Sequence, residues 1–205
     1  MDLYMNPLSP NCRKVDAVAK QLRIELNHKH IDLSKGDNRT PEYLAINPNG
    51  MVPALVDGDV TLWESNAIQC YLASKKDNDL WPKSNQRYDI MRWQAWELAH
   101  FGNAARNLIF QRLLKPALGL GTPDAARCEE EEQAFKRYGA VLDTHLKGRR
   151  FIVGDGLTLA DFCVASTLTY KEPAQLPVDG FENIRAWLSA LDEQPGWRAS
   201  APPPM

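Results

Sequence analysis

"LYMNPLSPNCRKVDAVAKQLRIELNHKHID", residues 3–32, decides the fold. Leu3-Tyr4-Met5 reads as a short buried strand. Val15, Val18, Ala19 and Leu22 recur at helical spacing, which predicts an amphipathic helix over residues 11–23. Residues 27–32 read as a second strand. A strand, a helix and a strand within about 30 residues form a parallel βαβ unit, right-handed by strong preference.

The next stretch keeps that grammar. Ala54-Leu55-Val56 and Val60-Thr61-Leu62 flank Asp57-Gly58-Asp59 and read as a hairpin. Ile68, Tyr71, Leu72 and Ala73 carry a following helix. The order β-α-β-(short helix)-β-β-α implies a small mixed sheet. "KKDNDLWPKSNQR", residues 75–87, is polar around one Trp-Pro anchor and reads as a linker. Beyond it no strand pattern appears. Residues 87–113 read as a long central helix in which Trp93 and Trp96 are core. Thr122-Pro123-Asp124 reads as a helix start with Thr122 as its cap. The acidic run Glu129–Glu132 reads as a solvated face. In "LTLADF", residues 157–162, Thr158 and Asp161 have capping-box spacing and Leu157 and Phe162 stand at the staple positions. A last helix carrying Ile184, Trp187, Leu188 and Leu191 stops before Pro195. The expected division is therefore 1–77 as an α/β domain, 78–86 as linker and 87–205 as an all-helical domain.

Composition narrows the class. The 205 residues are 44% hydrophobic and 24% charged, ordinary for a globular protein. A net charge of -2 argues against nucleic acid or an acidic membrane as the main partner. No apolar run reaches the length of a membrane span and no signal peptide is evident, so a cytoplasmic location is expected. Cys12, Cys70, Cys128 and Cys163 lack metal-ligand spacing and read as free thiols. His28 and His30 share a strand face and read as solvent-exposed; no metal site is expected.

The chemistry concentrates at the start of the first helix. A helix N-terminus presents unpaired amides and partial positive charge, so it favours a thiolate. Ser9, Asn11 and Cys12 stand there. A serine hydroxyl is too weak an acid to ionise unaided, but it can donate a hydrogen bond to a thiolate that a ligand brings. A charge-assisted hydrogen bond of about 1.5–3 kcal/mol lowers a thiol pKa by one or two units. The other reading of Ser9 is a plain turn residue. In "NPNGMVPAL", residues 47–55, a cis bond at Val52-Pro53 would leave the Val52 backbone open to an extended peptide. In "LWESNAI", residues 62–68, Glu64 suits an ammonium group, while Ser65 and its helix N-terminus suit a carboxylate. Ser65 as a simple cap is the alternative. "KGDNRTPEYL", residues 35–44, offers Lys35 and Arg39 to a second carboxylate. Together these describe a site for a short zwitterionic peptide carrying a thiol.

On "NPxGxVPAL", "ESxAIxxYL" and "LTLADF", in that order and spacing, the chain resembles the cytosolic glutathione transferases along almost its whole length. The turn "SPNCRKV" is similar to that of serine-type theta and phi enzymes and bacterial nu-type enzymes. The resemblance implies a thioredoxin-like N-terminal domain, an all-α C-terminal domain and glutathione as co-substrate. It further implies a homodimer and a second substrate that is an electrophile, a disulfide or a peroxide. By position it gives Ser9 the glutathione thiolate with help from Asn11, the cysteinyl unit to Val52 before Pro53, and the γ-glutamyl end to Glu64 and Ser65. Asn38 and Arg39 fall near the glycine carboxylate, and Met51 stands where many relatives carry Lys or Gln. "SPNC" resembles a CPxC redox turn that has lost its first cysteine, with Cys12 at the resolving position. His100, Phe101, Asn103 and Arg106 are the expected contacts of the electrophile, in a cleft between the domains. Three activities remain open: thiol transfer to an electrophilic carbon, glutathione-dependent reduction of a disulfide or peroxide, and binding without turnover.

Overall fold

The structure, a computed structural model, describes residues 1–203. The chain forms two compact units: Met1–Pro82 together with the segment from Asp192 on, and Lys83–Leu191.

The first unit is built on a four-stranded sheet of β1 (Asp2–Met5), β2 (Asn27–His30), β3 (Ala54–Asp57) and β4 (Val60–Trp63), in the order β2-β1-β3-β4. β1 and β2 are parallel, joined by α1 (Pro10–Gln21) as the βαβ pattern predicts. The other pairs are antiparallel. After β2 a single 3-10 turn, Asp37–Arg39, precedes α2 (Pro41–Ile46), and α3 (Ser65–Ser74) follows β4. β2 stops short of residue 32 because Asp32 turns to local partners: its N–H donates to the Asp37 carboxylate and its own carboxylate accepts from Ser34. Leu3, Leu55, Val15, Val18, Ile68 and Leu72 are fully buried and make the core. In the hairpin Asp57 faces Val60, so Gly58, with φ 60°, takes the first of two loop positions. A two-residue hairpin loop of type II′ requires glycine there.

The pairing register fixes where the connections emerge. Tyr4 faces Ala54, and Ala54 faces Trp63. The end of β1, the start of β3 and the end of β4 therefore lie at one end of the sheet. Because β2 runs parallel to β1 and Met5 faces His30, β2 ends there as well. The β1–α1 turn, the Asp37–Arg39 turn, the loop before Ala54 and the start of α3 thus leave from a single edge of the sheet.

In the second unit one helical run extends from 86 to 117 as α4 (Gln86–Trp96), α5 (Gly102–Ile109) and α6 (Lys115–Ala117), joined by wider π turns at Glu97–Phe101 and Phe110–Leu114. Gly102 is required at the first of these, since a Cβ there would sit 1.9 Å from Glu97 Oε1. α7 (Ala125–Leu146), α8 (Leu159–Ser166) and α9 (Glu182–Asp192) complete the unit. Phe101, Phe135, Phe162, Leu108, Leu142 and Trp187 form its core.

Two sequence expectations fail in α7. It starts two residues later than read: Asp124, not Thr122, is the cap, and its carboxylate accepts the Arg127 N–H at 3.0 Å. The acidic run is not uniformly solvated either. Glu131 is buried, where it accepts from Asn107 and pairs with Arg127.

The capping box at the start of α8 forms, and Asp161 does more than cap. It is fully buried and accepts the Thr158 N–H, the Ile152 N–H and the indole N–H of Trp187, at 2.8, 2.8 and 2.9 Å. Burial pushes its pKa up to about 6, against these hydrogen bonds, which favour the carboxylate.

The last segment differs from the expected 87–205 boundary. α10 (Pro195–Ala199) packs on α1, in the first unit. Gly196 permits the approach: a Cβ there would lie 2.5 Å from Ala17 O and 2.6 Å from Gln21 N. The Gly196 N–H donates to Gln21 Oε1, Lys20 Nζ donates to Ala199 O, and the Arg13 guanidinium lies 3.6 Å over the Trp197 ring.

Candidate active site

Ser9 is the N-cap of α1. Its backbone is extended, Pro10 follows as the first helical residue, and Ser9 Oγ accepts the Cys12 N–H at 3.4 Å. The turn before it is held by Asn6, whose carbonyl accepts the Ser9 N–H and whose side chain bonds Leu8 N–H and Ile31 O. The cap uses a lone pair of Ser9 and leaves the hydroxyl proton for an anion. Cys12 is fully buried, and desolvation pushes its thiol up to about 11, partly offset by hydrogen bonds from Asn6 and Ser9. The thiol of this chain's own turn is therefore held neutral, while the position beside it is set to receive a negative charge.

The loop before β3 forms the second strip. Val52-Pro53 is a cis peptide. Among the described residues the Val52 N–H and C=O enter no hydrogen bond, since β3 begins only at Ala54. The Met51 carbonyl is turned inward and accepts from Tyr43 Oη at 2.6 Å and Asn47 Nδ2 at 2.7 Å, while the Met51 side chain is exposed. Tyr43 is buried, which pushes its pKa up to about 12, so it remains a donor. Sequence reasoning missed Tyr43 and Asn47. The "NPNG" turn marks Asn47, whose side chain also accepts the Asn49 N–H. Tyr43 has no such signal, because its partner is a backbone carbonyl.

Asn38 and Arg39 lie on the 3-10 turn. Asn38 Nδ2 donates to Gly50 O at 2.7 Å, so its amide holds the loop. Arg39 is exposed and lies against Gly50, where a Cβ would be 2.8 Å from Arg39 Nη1. Lys35 is tied to Asp32 at 3.3 Å.

The third strip is the start of α3. Glu64 precedes it at φ 72°, ψ 109°, outside the broad regions open to L-residues, with its side chain exposed. Strain of this kind costs about 1–3 kcal/mol and concentrates at functional sites. Ser65, the first residue of α3, is 7% exposed, and its hydroxyl donates to Asn11 Oδ1 at 3.4 Å. That bond sets the N-termini of α1 and α3 side by side, so two partial positive charges converge on one place.

His28 is exposed, as its sequence reading has it, and in addition its Nε2 lies 2.9 Å from Asp16 Oδ1, a carboxylate that also pairs with Lys20.

In the helical unit the four residues assigned to the electrophile do not share one environment. Phe101 is a correction: it is fully buried, stacked on Trp96 and packed on Phe135. It continues, at helical spacing, the buried face that Ile90, Gln94 and Glu97 present. His100 and Asn103 are exposed, His100 lying over the Tyr138 ring. Arg106 is half-exposed and bound to the buried Glu97 carboxylate and the Leu98 carbonyl, both at 3.1 Å. Among the described residues no group of three His, Cys, Asp or Glu side chains is placed to hold a metal, and no helix is long and apolar enough to cross a membrane.

Comparisons with known proteins agree with this layout. Residues 1–74 match the family described as glutathione S-transferase, N-terminal domain, and residues 102–195 match glutathione S-transferase, C-terminal domain. The chain is similar to glutathione S-transferase 3 of Zea mays, 35% identical over 215 residues that cover 100% of this chain and 96% of the relative. Among solved structures, glutathione transferase F7 of Populus trichocarpa superposes with a TM-score of 0.90 at 26% identity, covering 98% of this chain and 97% of that one. Glutathione S-transferase I from mais, in complex with an atrazine glutathione conjugate, gives 0.88 at 29% identity over 98% and 95%.

Proposed function

From a chain that belongs to the glutathione S-transferase family and is itself a glutathione S-transferase, we infer how its own residues bind and ionise the tripeptide. Glutathione lies extended across the shared edge of the sheet. Its cysteinyl backbone pairs with the free N–H and C=O of Val52 before Pro53. Its γ-glutamyl carboxylate rests on the backbone N–H of Ser65 at the N-terminus of α3, the Ser65 hydroxyl being given to Asn11, and the ammonium meets Glu64. Its glycine carboxylate meets Arg39, while Asn38 and the Met51 carbonyl keep the loop in place.

The thiol then reaches the N-terminus of α1. Ser9 Oγ–H donates to the thiolate and Asn11 assists from the adjoining turn. Together with the helix amides this favours the anion, and a charge-assisted bond of about 1.5–3 kcal/mol lowers the pKa by one to two units. The thiol proton leaves to solvent. The sulfur lone pair attacks an electrophilic carbon, forming a C–S bond as a leaving group departs or a conjugated π bond accepts the electron pair. Cys12 takes no part, because it is buried and neutral.

The observation that carries this reading is the Ser65–Asn11 hydrogen bond, which sets the thiol-binding and γ-glutamyl-binding helix ends together. His100, Asn103 and Arg106 are the proposed contacts of the electrophile. The enzyme is read as serine-type, like the theta, phi and nu-like enzymes, and as a cytoplasmic homodimer. The test is a paired assay on purified protein, conjugation of a chloronitrobenzene beside glutathione-dependent reduction of a disulfide. Conjugation that dominates supports the reading. Reduction without conjugation replaces it with the reductase, and no binding to immobilised glutathione replaces it with a module that does not turn over.

A further inference from the structure

Lys14 is a full-length cation with no exposed surface, one turn into α1. A buried ammonium carries a large desolvation cost, which a chain retains only where the charge is held by well-placed acceptors. Its Nζ donates to Asn66 Oδ1 at 3.0 Å. Asn66 is the second residue of α3, next to Ser65 and two residues from the strained Glu64. The backbone is fastened at the same level, because Gln69 Nε2 donates to Lys14 O at 3.3 Å. With the Ser65–Asn11 bond, three cross-links join the N-terminal halves of α1 and α3.

We propose that Lys14 is a positioning residue that sets the distance between the thiolate-binding end of α1 and the γ-glutamyl-binding end of α3, and so makes the enzyme select thiols that carry a γ-glutamyl group. This rests on the glutathione reading above. Lys14 touches no reacting atom. It acts through Asn66 on Ser65 and Glu64, so that a ligand anchored at α3 has its sulfur delivered to Ser9. A thiol without the γ-glutamyl group keeps the α1 end and the Val52 and Arg39 contacts but makes none at α3, so it gains nothing from the fixed spacing of the two helix ends.

The experiment compares kcat/KM for glutathione and for cysteinylglycine, which lacks the γ-glutamyl group, in wild type, Lys14→Met, Asn66→Ala and Asn66→Asp. Asn66 is half-exposed, so the Asn66 variants keep the test open if the buried substitution fails to fold. The expected result is that the glutathione/cysteinylglycine ratio falls about tenfold in Lys14→Met and Asn66→Ala, the worth of one hydrogen bond to a charged group. Most of the loss should appear in KM for glutathione. Asn66→Asp, which still accepts from Lys14, should keep the ratio. A ratio unchanged in both disrupted variants, with both substrates slowed alike, would show a merely structural lysine and overturn the proposal. A wild type that does not prefer glutathione to cysteinylglycine would overturn the site reading itself and the proposal with it.

Discussion

Replacing Glu64 by glycine should make the protein more stable and worse at binding glutathione. Glu64 sits at φ 72°, ψ 109° with its side chain in solvent, so its removal sacrifices no packing. Relief of the strain returns about 1–3 kcal/mol. Glycine gives back about 0.5–1 kcal/mol of that in unfolded-state entropy. A net gain of about 1 kcal/mol raises the melting temperature of a unit this size by about 4–8 °C. The same substitution removes the carboxylate assigned to the glutathione ammonium, a loss of about 1.5–3 kcal/mol, or roughly 10- to 150-fold in Kd. Glu64→Ala separates the two effects, because it loses the carboxylate and keeps a Cβ at positive φ. Thermal unfolding and titration calorimetry with reduced glutathione on both variants are the assay. The reasoning is refuted if the glycine variant melts no higher than the alanine variant, or if both bind glutathione as wild type does.

Cys12→Ala should leave conjugation nearly unchanged, checked by turnover with a chloronitrobenzene. The folded thiol ionises near 11 against 9.0 for its ordinary value, so it resists iodoacetamide at neutral pH. Unfolding releases its proton in that interval, so this contribution to stability is complete below about 9 and is lost as pH rises through 11, measurable as a falling denaturation midpoint. Asp161→Ala leaves the Ile152 and Thr158 amides and the Trp187 indole N–H without their acceptor. At about 1–3 kcal/mol each the loss rivals the whole stability of a domain, so near-ultraviolet circular dichroism should show the helical unit unfolded. Gly196→Val drives a side chain into the Ala17 carbonyl and Gln21 of α1, and should destabilise the first unit by about 1–3 kcal/mol. Limited proteolysis should then cut the last residues, which stay protected if α10 tolerates the change.

What was legible in the sequence was local. The β1–α1–β2 unit follows from one helical period between two short strands. The box at Thr158 and Asp161 needs only residues three apart, and Ser9, Val52, Glu64 and Ser65 fall at element boundaries marked by Pro10, Pro53 and a switch of period. Most misses have long-range causes. Phe101 is the exception: it shares the buried helical face of Ile90, Gln94 and Glu97, and the reading that set it beside the exposed His100 and Asn103 overlooked that period. Glu131 is buried because Asn107, 24 residues away, donates to it. Tyr43 supports the site through the Met51 carbonyl, and Lys14 through Asn66, contacts that exist only once the sheet sets α1 beside α3. Asp124 displaced Thr122 as the cap of α7, since both are good caps and the choice depends on which carboxylate or hydroxyl meets an amide three residues on. The return of α10 to α1 turns on Gly196, whose missing Cβ has no periodic signature.

The most direct test of the central claim is the ionisation of glutathione on the enzyme, followed by ultraviolet thiolate absorbance against pH in wild type and Ser9→Ala. The account predicts that the bound thiol ionises one to two units below the roughly 8.5 of a free thiol, and that Ser9→Ala moves it back up by most of that interval while glutathione still binds. A bound thiol that titrates like the free one, or a lowered value that Ser9→Ala leaves in place, would contradict it.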